Sequence, residues 1–244
     1  MIPLLNEEKI NYALVDTYWR VKLFDEIDST QSYLAQRGAD LRTGDVALAE
    51  FQSAGRGRLD RTFIAPKSSS LLLSFYYEPK RSRDVWGATA LIVGSSIAQL
   101  LGDEFSTKWP NDILHATGKI SGTLCEFAAD GVIVGIGINV AMQQNELPVA
   151  TASSLLIATG NAPDRNDLLV ALLSQIKKEL ELWESGVDFT AEYSRRSSTI
   201  GSKVRALLPS GEVWEGRAQS VSSRGELILD SGQTVSVGDI THLK

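Results

Sequence analysis

The chain is poor in the side chains that most enzymes use for covalent or metal chemistry. Among 244 residues it has one cysteine, Cys125, and two histidines, His115 and His242. A lone cysteine excludes an internal disulfide and supplies too few thiolates for a structural zinc site. Neither histidine stands in a recognisable nucleophile context, so a histidine-based triad is not expected. No apolar run approaches the length that crosses a bilayer. The start, Met1-Ile-Pro-Leu-Leu-Asn-Glu-Glu-Lys9, has neither the basic residues nor the apolar core of a secretory signal, so a cytoplasmic protein with no membrane partner is expected. Basic charge is also short: 24 Lys and Arg against 30 Asp and Glu leave a net charge of -6. Non-specific nucleic-acid binders carry the opposite balance, and no nucleic-acid partner is expected.

What is present is ample material for a core. A hydrophobic content of 43% with 22% charged residues is that of a globular protein, and 244 residues fit one large domain or an ordinary one with an appendage. Arg20 to Asp25 reads as a short strand, and Ser29-Thr30 as the capped start of a helix that Gly38 ends. Asp45 to Phe51 reads as a second strand. Ser70 to Tyr77 is too continuously apolar at its start to have one face in water, so it should be central. Val85 to Leu101 has helical spacing. Phe105 to Leu114 is a strand interrupted by Pro110, with a turn beginning at Asn111-Asp112. Asp130-Gly131 between two apolar runs marks a hairpin, and Gly135 and Gly137 in its second strand mark a place where a backbone or a ligand comes close. Asn166 to Glu184 is a long amphipathic helix with Asn166 as its N-cap and Gly186 as its stop. From Thr199 the texture changes to short strands separated by Ser210-Gly211, Arg224-Gly225 and Ser231-Gly232, the pattern of a small barrel. The boundary is set at 198, giving domains 1–198 and 199–244.

Within this frame Gln52 to Pro66 is the dense stretch. Gly55-Arg56-Gly57-Arg58, with Arg61 after it, sets guanidinium groups among glycines. Such a loop can aim backbone amides and arginine forks at one anion, with positive φ angles at the glycines. Lys108, Trp109, Asn111 and Asp112 follow a strand into a turn, and Lys119 and Gly122 open the next strand.

Taken in order, Asp28-Ser-Thr-Gln31, Gln52 through Arg61, Lys108-Trp-Pro-Asn-Asp112, Gly118-Lys-Ile-Ser-Gly-Thr-Leu-Cys-Glu126 and Gly135-Ile-Gly-Ile-Asn-Val140 resemble the biotin-protein ligases over nearly the whole chain. The resemblance implies an α+β fold, a mixed sheet flanked by helices of the class II aminoacyl-tRNA synthetase and biotin synthetase type, followed by an SH3-like domain. It implies that biotin is joined to ATP with Mg2+ to give biotinyl-5'-AMP, and that biotin then passes to one lysine of a biotin carboxyl carrier protein domain such as that of acetyl-CoA carboxylase. By the same resemblance Ser29, Thr30 and Gln52 hold the ureido ring, with Gln31 beside them in the binding set. Gly55, Arg56, Gly57 and Arg58 form the loop over the adenylate, and Lys119 bridges the biotin carboxylate and the α-phosphate. Asn111, Asp112, Gly122, Gly137 and Asn139 complete the binding set, with Lys119, Arg56 and Arg58 as the catalytic cations and no protein ligand to a metal. Three positions depart from the family pattern: Asp60 stands for glycine, Phe63 for tryptophan and Gln31 for asparagine. Asp60 is expected to point outward and pair with Arg61 or Arg58. Some twenty residues before the first strand are too few for the DNA-binding domain of bifunctional members, and a monomer or weak homodimer is expected. The related lipoate ligases and octanoyl transferases are the alternative, which the Gly-Arg-Gly-Arg loop argues against.

Overall fold

A computed structural model describes residues 3–59, 61–128 and 130–243. A short helix, α1 (Glu7–Ala13), leads to strand β1 (Arg20–Phe24), helix α2 (Thr30–Arg37), and strands β2 (Asp45–Ala49) and β3 (Ser70–Tyr77). Helix α3 (Ala88–Leu101), strands β4 (Ser106–Lys108), β5 (Asp112–His115), β6 (Gly118–Ala128) and β7 (Gly131–Asn139), and helices α4 (Leu155–Thr159), α5 (Arg165–Glu184) and α6 (Thr190–Arg196) follow. The seven strands form one mixed sheet in the order β1-β2-β3-β7-β6-β5-β4; only β1 and β2 run parallel.

Side chains alternate across a sheet, so each strand divides its residues between two faces. On one face Val46, Leu48, Leu71, Leu73, Phe75, Val132, Val134, Ile136 and Ile138 pack against Ile92 and Ile97 of α3 and Leu169, Leu172 and Ile176 of α5 in the main core. All eight residues of β3 are buried, as its continuous apolar run requires. The other face carries small residues, Ala47, Ala49, Ser74, Gly122, Gly135 and Gly137, among its larger ones. Cross-strand register aligns Ala47, Ser74, Gly135 and Leu124 in one row, and Ala49, Leu72, Gly137, Gly122 and Asp112 in the next. Leu34 and Leu41 cover one end of this face against Tyr76 and Ile133, while Ala65 and Phe63 cover the other end against Leu72 and Met142. Between the two covers the sheet is left open, and a cavity forms there.

The remaining strands, β8 (Lys203–Leu207), β9 (Val213–Val221), β10 (Leu227–Leu229), β11 (Thr234–Val235) and β12 (Asp239–His242), make an antiparallel sheet in the order β11-β10-β9-β8-β12. Its core includes Val204, Ala206, Ala218, Leu227 and Leu229 and is continuous with Trp109, Leu91 and Tyr193 of the larger part. The Trp109 indole N–H donates to the Gly225 carbonyl (3.0 Å) and its backbone N–H to Thr199 Oγ1 (3.0 Å).

Several elements depart from the sequence reading. Helix α5 is capped by Asp164, whose carboxylate accepts from the Asn166 amide (2.7 Å). Asn166 lies inside the first turn, and its carboxamide ties down the N-terminal segment instead, accepting from Asn6 N–H (2.8 Å) and donating to Leu4 O (3.1 Å). Val85 closes a separate short 3-10 turn before α3 starts at Ala88. The turn after β4 spans 109–111, with a cis Trp109–Pro110 bond, and Asp112 already begins β5. Strand β12 was not anticipated, because its four residues bury only Ile240 and give too short an alternation to read. Among the described residues no helix is long and apolar enough to cross a membrane.

Candidate functional site

The cavity on the open face has a volume of about 440 Å3. Of the fourteen residues singled out from the sequence, thirteen line it: Ser29, Thr30, Gln31, Gln52, Arg56, Gly57, Arg58, Asn111, Asp112, Lys119, Gly122, Gly137 and Asn139. The fourteenth, Gly55, is buried behind the wall.

One end of the cavity is polar. Ser29 caps α2, and Gln52 follows β2 beside it through the Ile27–Gln52 bridge, so both leave the C-terminal ends of the parallel pair. Gln52 Oε1 accepts from the Thr30 amide (2.8 Å) and lies 3.0 Å from the Thr30 hydroxyl. That hydroxyl is 2.8 Å from Ser74 Oγ, which lies 3.0 Å from Gln31 Oε1. Gln31 Nε2 donates to Glu126 Oε2 (2.9 Å) and to the Ile133 carbonyl (3.2 Å). Gln31 fits because Gly135 lies beneath it: a Cβ there would sit 2.7 Å from Gln31 Oε1. Gly137 serves Phe63 in the same way, since a Cβ would come within 2.5 Å of the ring. Gly137→Ala is therefore expected to push Phe63 into the cavity and raise the KM of whatever fills it by about tenfold, the size of effect a lost apolar contact produces. Steady-state kinetics of the variant check this.

The arginine loop is a tight hairpin. Phe63 N–H donates to Gly55 O (2.9 Å) and Gly57 N–H to Arg61 O (2.7 Å). Positive φ at Gly55 and Gly57 is not found; among the described non-glycine residues here it is Leu59 that adopts it, at 52°. The glycines serve close approach instead, because a Cβ at Gly55 would lie 2.4 Å from Phe63 O and one at Gly57 3.1 Å from Arg61 O. The Gly57 amide is thus engaged within the hairpin, and the guanidinium groups, not successive amides, are the loop's contribution to an anion site. Arg56 makes a two-pronged pair with Glu126 (2.7 and 3.0 Å). Arg58 donates to Asn111 Oδ1 (3.2 Å) and to Gly238 O (3.2 Å), and burial lowers its pKa from the ordinary arginine value. Arg61 is hydrogen-bonded to Asp239.

At the other end Lys119 Nζ lies 2.6 Å from Asp112 Oδ1. Asn111 donates to Thr123 O (2.9 Å), which fixes the turn, and Asn139 Nδ2 donates to Ser153 O (2.9 Å). Burial pushes the Cys125 thiol up to about 12, so it packs as an apolar group and is no nucleophile. Ser74 was missed as a cavity residue, and Glu126 and Asp239, which do not line the cavity, as partners of its arginines. Ser74 and Glu126 were visible as polar residues within strand runs facing the glycine-rich strand; Asp239 lay past the last strand read from the sequence.

The sequence profile of the Biotin/lipoate A/B protein ligase family matches residues 23–143, and that of the Biotin protein ligase C terminal domain matches residues 199–243. The Biotin--[acetyl-CoA-carboxylase] ligase of Mycobacterium tuberculosis is 36% identical, with 99% of this chain and 97% of that protein aligned. The chain belongs to the biotin protein ligase family. The bifunctional ligase/repressor BirA of Escherichia coli is 29% identical over 94% of this chain and 74% of its own length. The fold also superposes on the biotin protein ligase from Aquifex aeolicus in complex with biotin and ATP, with a TM-score of 0.79 at 28% identity over 92% of this chain and 98% of that one.

In this member of the biotin protein ligase family the arginine loop is tied to the C-terminal sheet. Asp60, expected to pair with Arg61 or Arg58, lies outside the described residues. Among the described residues, a carboxylate that meets both arginines is Asp239 of β12, hydrogen-bonded to Arg61 and 4.0 Å from Arg58. Asp239→Ala is expected to loosen the loop and raise the KM for ATP about threefold to tenfold, as the loss of a partly exposed charge pair allows. Limited proteolysis within 56–62 and ATP titration check this; unchanged cleavage and KM would leave Asp239 a surface contact.

Proposed function

We propose that this chain activates biotin with ATP as biotinyl-5'-AMP, releasing pyrophosphate, and then transfers biotin to the ε-amino group of a lysine on a biotin carboxyl carrier protein domain. The observation that supports it is the order of groups along one cavity. Hydroxyls and carboxamides of Thr30, Gln52, Ser74 and Gln31 are joined at the row that holds Gly135, Phe63 covers Gly137 in the next row, and Lys119 lies over Gly122 farther along that row. A ureido ring, an apolar bicycle and chain, and a carboxylate occur in that order in biotin. Lys119 would place positive charge between the biotin carboxylate and the α-phosphate, whose mutual repulsion is the main barrier to their approach. Arg58 and Arg56 would serve the phosphates, with Arg56 first leaving Glu126.

Among the described residues no group of three or more His, Cys, Asp or Glu is placed to hold a metal ion. Mg2+ would arrive with ATP as part of that substrate, held mainly by phosphate oxygens, and neutralise charge on them. The mixed anhydride is prone to hydrolysis, which gives the loop around Arg56 to Arg61 a reason to close over it. In this reading residues 1–198 carry the chemistry, and 199–244 anchor the loop through Asp239. A cytoplasmic setting supplies both ATP and the acceptor.

The test is to incubate the protein with biotin, Mg-ATP and a carrier domain and look for one added biotin by mass, with lipoate in place of biotin as the control. Modification with lipoate and none with biotin would overturn the reading.

A further inference from the structure

Three oxygen–oxygen contacts at the polar end of the cavity share two protons. Thr30 and Ser74 each have one hydroxyl proton, yet the contacts Thr30–Gln52 Oε1 (3.0 Å), Thr30–Ser74 (2.8 Å) and Ser74–Gln31 Oε1 (3.0 Å) each need one. Something must decide which way the protons point. A ligand entering the cavity meets either a Thr30 that presents lone pairs or a Thr30 that presents a proton, and only the first can accept a ring N–H.

The direction is set from behind the wall. Glu126 and the Ile133 carbonyl are both acceptors only, and both face the same nitrogen of Gln31, at 2.9 and 3.2 Å. They force the Gln31 amide to turn its oxygen toward Ser74. Ser74 then donates to Gln31 and accepts from Thr30, so Thr30 turns its lone pairs outward. Gln52 Oε1 keeps the Thr30 backbone amide as its donor. Glu126 is itself fixed by Arg56, which takes both carboxylate oxygens. The chain therefore runs Thr30 to Ser74 to Gln31 to Glu126, and it ends on the arginine loop.

We infer that Glu126 is a positioning residue: through Gln31 and Ser74 it orients the Thr30 hydroxyl to accept a ureido N–H, and through Arg56 it links that orientation to the arginine loop. This rests on the ligase reading given above. Glu126 does not line the cavity and touches no substrate; its effect passes through side chains that do.

Glu126→Gln tests it, because an amide in this place presents a donor to Gln31 or to Arg56 and releases the Gln31 amide to turn. Biotin-dependent pyrophosphate release should show a KM for biotin raised about tenfold, the scale of one lost charge-assisted hydrogen bond, with kcat within about twofold. Gln31→Leu should raise the KM for biotin similarly, and the double variant should be no worse than the more affected single one, since both break one chain. Glu126→Asp keeps the charge but shortens the reach, and it should lie between wild type and Glu126→Gln. A merely structural role would lower the melting temperature and leave the KM for biotin unchanged. That outcome with an active wild type, or additive effects in the double variant, overturns the proposal alone. A wild type with no biotin-dependent activity overturns the ligase reading and this proposal with it.

Discussion

Lys119→Ala is expected to slow biotin-dependent pyrophosphate release by about 100- to 1,000-fold, the range found when a single preorganised charge-stabilising donor is removed. Its melting temperature should stay within a few degrees of wild type. The structure separates the two effects. The Lys119 backbone secures the start of β6, its N–H donating to Thr151 O (2.8 Å) and its carbonyl accepting from Ser153 N–H (2.8 Å), and neither bond involves the side chain. The side chain is 39% exposed and its pair with Asp112 is partly solvated, so its loss costs little stability.

A β-bulge gives Lys119 its aim. The pairing of β5 with β6 shifts between Ile113–Ser121 and Leu114–Lys119, leaving Ile120 as an extra residue. The bulge brings Lys119 to the same side as Gly122, three residues on, and its Nζ comes within 3.2 Å of where a Gly122 Cβ would stand. An ammonium fits over that glycine; a planar guanidinium is wider and has its donors in a fixed fork. Lys119→Arg should therefore recover less than about a tenth of the lost rate. Single-turnover pyrophosphate release alongside a thermal melt measures both quantities. Near-normal release by the alanine variant would remove Lys119 from the mechanism.

The sequence carried the strands, helices and most of the cavity wall because these are written as local patterns. The run Ser70 to Tyr77 states its own burial, and glycines at 122, 135 and 137 mark one floor across two strands. Whether those glycines admit a ligand or a side chain was not legible, since Gln31 and Phe63 reach Gly135 and Gly137 from elements about a hundred and about seventy residues away. Partners of the arginines were hidden for the same reason. Glu126 and Asp239 meet Arg56, Arg58 and Arg61 only through sheet register and the packing of the C-terminal sheet, and neither leaves a periodic trace. Asn166 misled because Asp164 and Asn166 are both good caps, and only the tertiary partners of the Asn166 carboxamide, Asn6 and Leu4, decide between them.

The most destabilising single change expected outside the cavity is at Glu50. It forms a two-pronged pair with Arg165 (2.7 and 3.1 Å), the two side chains being 4% and 0% exposed, and it also accepts from the Leu5 amide (2.7 Å). Arg165 further donates to Ser70 O (3.2 Å) and Pro3 O (3.0 Å), so one ion pair joins β2, β3, α5 and the N-terminal segment. Removing one partner leaves the other charge buried, and Glu50→Ala is expected to lose about 3–5 kcal/mol by urea denaturation at pH 7. Burial by itself would raise the Glu50 pKa, but hydrogen bonds from Arg165 and the Leu5 amide outweigh it and hold the carboxyl below its ordinary value of 4.5. A depressed folded-state pKa means that the unfolded chain takes up the proton first. The stabilisation is complete above the unfolded value and falls away as pH drops through the folded one. Wild type should therefore lose stability steeply below about pH 4.5, and Glu50→Gln, which cannot titrate, should show a shallower acid limb, so the gap between them narrows with acid. Glu50 stands two residues before Gln52, and acid release of the pair should raise the KM for biotin before global unfolding. A gap that stays constant from pH 7 to pH 3.5 would show that Glu50 does not govern the acid limb.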